Sequence, residues 1–61
     1  MIGTFVIWVE DRWGNVARAF TWTGADNEGI AKAKAESRAN GMHLADVWAT
    51  PVANNNNGMG S

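Results

Sequence analysis

A chain of 61 residues allows one domain, and a domain of this size buries only about 60% of the surface its unfolded chain exposes. The absence of cysteine excludes disulfides, and a single histidine argues against structural zinc. The net charge of −1 lacks the basic excess with which phosphate contacts drive nucleic-acid binding, so a nucleic-acid partner is not the first expectation.

Small domains without staples rely on packing or self-association. Four tryptophans supply large apolar areas for either route. No apolar run approaches the ~18 residues of a membrane span, and Met1-Ile2-Gly3-Thr4 lacks the basic region of a signal peptide. Together with the missing cysteines, this makes the cytoplasm the expected location, with no membrane partner.

Thr4 to Val9 is a β-branched and aromatic run that predicts a strand. Asp11-Arg12-Trp13-Gly14 suits a type I turn closed by a glycine bulge. Asn15 to Thr23 alternates cleanly at Val16, Arg18, Phe20 and Trp22, completing a hairpin over Thr4 to Thr23. Asp26 is the expected N-cap of a helix, with Ala25 and Ile30 as a weak staple across it. Ile30 to Ala39 is rich in helix formers, Gly29 weakens the start, and Asn40-Gly41 supplies the stop. Ala31, Ala35, Ala39 and Met42 are the expected inward stripe, beside Ile30 and Ala33. Glu28 and Lys32 are an expected i,i+4 pair. His43 to Ala49 predicts a third strand ended by Pro51. The ordered domain is expected over 1–53, followed by a disordered Asn/Gly-rich tail over 54–61.

This order is β-β-α-β, an α+β domain. A right-handed crossover places the third strand beside the first, giving a three-stranded antiparallel sheet of order 2-1-3 with one helix on one face. Pairing Asp11 with Asn15 sets Trp8 against Arg18, Val6 against Phe20 and Thr4 against Trp22. An alanine-rich helix fits best over Phe5, Ile7, Val9, Ala17, Ala19, Thr21, Ala45, Val47 and Ala49. Val6, Trp8, Val16, Arg18, Phe20, Trp22 and Trp48, with Asp46 and Thr50, are then left on a face nothing in the chain can cover. Aromatic residues with arginine are typical of interface hot spots, and a large exposed apolar patch usually marks a partner. Arg18 is placed to stack on Trp8, and Trp13 at the hairpin tip is placed either to fold back or to insert into a partner.

No catalytic constellation is visible. There is no cysteine nucleophile, no Gly-x-Ser-x-Gly, no phosphate loop and no metal-ligand spacing, so neither enzyme activity nor a cofactor is expected. His43 reads as a helix-end or strand-start residue. The expected function is non-enzymatic protein binding through Trp8, Arg18, Phe20, Trp22, Trp48 and Trp13. A self-assembling subunit, as a homodimer or in a virion, and a single-stranded nucleic-acid platform are the alternatives.

Phe20-Thr21-Trp22-Thr23-Gly24-Ala25-Asp26, followed by the alanine-rich helix, resembles in its architecture the small accessory proteins of bacteriophages, including anti-CRISPR and other anti-defence inhibitors. That resemblance implies a protein that blocks or bridges a larger machine in the host cytoplasm, and it assigns no residue a role.

Overall fold

The computed structural model describes residues 1–52. The expected tail over 54–61 lies outside the described residues. The elements are β1 (Ile2–Asp11), β2 (Val16–Ala25), α1 (Asp26–Ala39) and β3 (Leu44–Pro51). The sheet is antiparallel with order β2-β1-β3, as the crossover argument requires.

The hairpin turn follows from its side chains. The Asp11 amide donates to the Asn15 carbonyl at 3.0 Å, and the Gly14 amide donates to the Asp11 carbonyl at 3.1 Å. Gly14 takes a φ of 86°, the left-handed conformation that closes a three-residue hairpin loop.

One irregularity rearranges the faces of the sheet. Trp8 pairs with Arg18, as expected, but Ile7 pairs with Phe20, Val6 with Thr21, and Phe5 with Trp22. Ala19 is therefore an extra residue, a β-bulge that shifts the register by one. Because side chains alternate with period two, this slip carries Phe20 and Trp22 to the face of Phe5 and Ile7. The expected pairs Val6–Phe20 and Thr4–Trp22 are corrected accordingly.

The core comprises Phe5, Ile7, Ala33 and Val47, with Val9, Phe20, Trp22, Ile30, Leu44 and Ala49 packed against it. Ala17 and Ala45, expected under the helix, are exposed. The helix turns Gly29, Ala33 and Ser37 inward, with Ile30 beside them. Ala31, Ala35, Ala39 and Met42 face solvent, which corrects the expected stripe. At roughly 100° per residue, positions 29, 30, 33 and 37 share one side of a helix, and 31, 35 and 39 lie opposite.

Gly29 is inward for a steric reason. A Cβ there would lie 2.7 Å from Trp22 Cγ and 3.0 Å from Ile7 Cδ1. The indole of Trp22 occupies the place a side chain would take, and its Nε1 donates to the Ala25 carbonyl at 2.9 Å. Phe20 meets Trp22 edge to face, with centroids 6.4 Å apart.

The helix ends as its sequence suggests. The Gly41 amide donates to the Arg38 carbonyl and the Met42 amide to the Ser37 carbonyl, the double bond of a Schellman motif. The start differs from expectation. Ala25 is the N-cap with no side-chain bond, and Asp26 lies inside the first turn, where its charge favours the dipole. The i,i+4 ion pair on the helix is Lys32–Glu36 at 3.1 Å, in place of the expected Glu28–Lys32.

Gly29→Ala should reverse the usual sign of a helix substitution. An unconstrained site gains about 0.5–1 kcal/mol from this change. Here the clash with Trp22 should cost about 1–3 kcal/mol in urea unfolding, and the usual gain should return in a Trp22→Ala background.

Candidate functional site

The face of the sheet opposite the helix is built by the even-numbered residues of β1 and their neighbours. Trp8 lies at its centre, paired with Arg18 on β2 and with Trp48 on β3. Val6 forms the next row, between Thr21 and Thr50. Glu10 forms the row nearest the hairpin, between Val16 and Asp46. No element of the described chain crosses this face, because the single helix is on the other side.

Trp8 is anchored by a hydrogen bond from its Nε1 to Thr50 Oγ1 at 2.8 Å. Both Trp8 and Trp48 are half-buried, so each rests on its neighbours and presents one side outward. Arg18 Nη2 donates to Thr21 Oγ1 at 2.8 Å. Residues three apart on a regular strand point to opposite faces; the Ala19 bulge brings these two together. Arg18 is thereby drawn along its own strand, and the cation–π pair expected with Trp8 is not formed. The cation–π contact present is Arg12 over Trp13, 5.2 Å from the ring centroid.

The six residues singled out from the sequence thus fall into three places. Trp8, Arg18 and Trp48 share the open face. Phe20 and Trp22 belong to the helix-covered side, where they support the core, so their expected place on the open face is corrected. Trp13 stands at the hairpin tip and is 76% exposed. The sequence reading did not single out Thr21 and Thr50, whose hydroxyls bond Arg18 and Trp8. Thr21, expected on the helix-covered face, is carried to the open face by the bulge. Its signal was the Phe20-Thr21-Trp22-Thr23 alternation, and Thr50, the one threonine of β3, carried none.

The tip is locked by Asp11. Its Oδ1 accepts the amides of Trp13 and Asn15, each at 2.9 Å, and its Oδ2 accepts Asn15 Nδ2 at 3.1 Å. These donors, the Asn15 amide foremost, hold the Asp11 carboxyl below the usual carboxylate range. His43 follows the helix end and lines a cleft with Trp13 and Met42. Among the described residues no three His, Asp or Glu side chains are grouped to hold a metal ion, and no helix is long and apolar enough to cross a membrane.

No protein-family model, no curated protein and no solved structure matches the chain.

A carboxylate with a lowered folded-state pKa contributes stability above its unfolded value and loses it as pH falls through the folded value. Asp11→Ala should therefore lower the urea midpoint at neutral pH. The gap to the parent should close in acid, as Asp11 itself becomes protonated. A gap that persists unchanged in acid would mean that the charge of the carboxylate contributes nothing to the turn.

Proposed function

We propose that this protein is a non-enzymatic binding module whose open sheet face docks on another protein. The observation that carries the reading is the row Arg18–Trp8–Trp48, three side chains aligned across a face that nothing in the described chain covers. Two tryptophans paired across adjacent strands beside a cation, with Val6 and Thr50 in the next row, have the composition of an interface centre. The scaffold suits such a role. Two of the three side chains lie on β1 and β3, and Trp8 is fixed by its bond to Thr50, so little side-chain entropy is lost on docking.

The charge pattern favours protein over nucleic acid here. Among the described residues Arg18 is the one cation on this face, and Glu10 and Asp46 lie in the adjoining row. A single-strand platform needs cations along its length, and carboxylates beside the rings would repel phosphates. A second copy is the other protein able to occupy the face. The finer reading, an inhibitor or adaptor encoded by a bacteriophage and acting in the host cytoplasm, draws support from small size, absence of cysteine and general architecture.

A photoreactive side chain placed at Thr21, on the open face, should cross-link one defined protein or a second copy in extracts of the source cells. The same group at Ala35, on the outer face of the helix, should not. Trp48→Ala should abolish the Thr21 cross-link while costing no more than about 2 kcal/mol of stability. Equal cross-linking from both positions, or a cross-link indifferent to Trp48→Ala, would refute the reading.

A further inference from the structure

A second surface lies at the hairpin end of the molecule, apart from the open face. The segment from Gly41 to Leu44, which links α1 to β3, lines two adjoining clefts of about 400 and 230 Å³. The larger is flanked by Lys34 and Arg38 from the helix, and the smaller by Arg12 and Trp13 from the hairpin turn. His43 borders both. Three of the five lysines and arginines of the chain therefore gather here, with its only histidine.

The carboxylates that line these clefts are Asp11 and Asp46. Asp11 is taken up by the turn, and Asp46 Oδ1 accepts the Val47 amide at 2.8 Å. Counting both as full charges, these clefts still carry a net +1, against −2 for the other ionisable side chains. Among the described residues neither Lys34 nor Arg38 is ion-paired. Trp13 and Met42, 76% and 55% exposed, are the exposed bulky apolar groups that line these clefts. Both walls are pre-formed, one by the Asp11 turn and the other by the Schellman motif.

We propose that these clefts bind an acidic segment of a partner protein that also carries an apolar side chain. Its carboxylates would meet Arg38, Lys34 and Arg12 through charge-assisted hydrogen bonds, and its apolar group would lie against Trp13 and Met42. A protein segment fits better than a nucleic-acid strand for two reasons. One aromatic ring offers a single stacking position, and Arg12 already covers one side of it. Asp11 and Asp46 at the borders also disfavour a continuous run of phosphates.

The probe is a short fluorescent peptide alternating glutamate with leucine, titrated into the full chain at low salt, with the Trp13 indole N–H followed by NMR. Saturable binding that shifts this resonance is expected, weakening as salt is raised. Arg38→Glu and Trp13→Ala should each weaken it by about tenfold, and Trp48→Ala should leave it unchanged. The corresponding glutamine–leucine peptide should not bind. The proposal falls if no saturation is reached, or if affinity survives either Arg38→Glu or Trp13→Ala. It also falls if oligothymidylate binds more tightly than the peptide under the same conditions. Because Trp48→Ala is silent in this assay, its outcome is separable from that of the open-face reading.

Discussion

The contact between Trp22 and Gly29 organises this fold. It exists because one extra residue in β2, Ala19, turns the second half of that strand over. Without the bulge, Phe20 and Trp22 would share a face with Trp8, and the helix would rest on Ala17, Ala19 and Thr21. With it, the helix gains an indole and a phenyl ring beneath it, and Gly29 clears the space the indole needs. The bulge thereby gives the tryptophans different roles. Trp22 completes the core, Trp8 and Trp48 form the open face, and Trp13 tops the hairpin.

That division matters because the core is thin. Among the described residues only Phe5, Ile7, Ala33 and Val47 form the buried apolar core, and half-buried neighbours form the remainder of the packing. A domain of this size with neither disulfide nor metal depends heavily on each large side chain it can cover. The helix contributes a narrow stripe of small residues, so it lies close to the sheet and shelters one side only. The other side keeps two half-buried tryptophans, Trp8 and Trp48, that no element of the described chain covers.

Much of the architecture was legible in the residues. Asp11 and Gly14 specify the hairpin turn by known hydrogen-bond chemistry, Gly41 marks the helix end, and handedness puts β3 beside β1. The third strand was also readable, with Val47 and Ala49 inward and Trp48 and Thr50 outward. The bulge was not, because Ala19 carries no glycine or proline to announce it and the alternation from Val16 to Trp22 looks unbroken. A quieter signal was present. A strand offering only Ala17, Ala19 and Thr21 to the core while its rings face outward buries little apolar area, and a register slip resolves it. Gly29, four residues after Ala25 in an otherwise strong helix, was a second such signal, since an isolated helical glycine often marks a close approach. The basic end was invisible for a different reason: Arg12, Lys34, Arg38 and His43 are scattered along the chain and meet only when the hairpin tip and helix end are brought together.

The most direct test of this division is the solvent accessibility of each indole, measured by fluorotryptophan NMR with a soluble paramagnetic agent and single-tryptophan replacements for assignment. Trp13 should relax fastest, Trp8 and Trp48 at an intermediate rate, and Trp22 slowest. A Trp22 resonance as accessible as those of Trp8 and Trp48 would mean that the strand runs without its bulge and that the helix covers other residues.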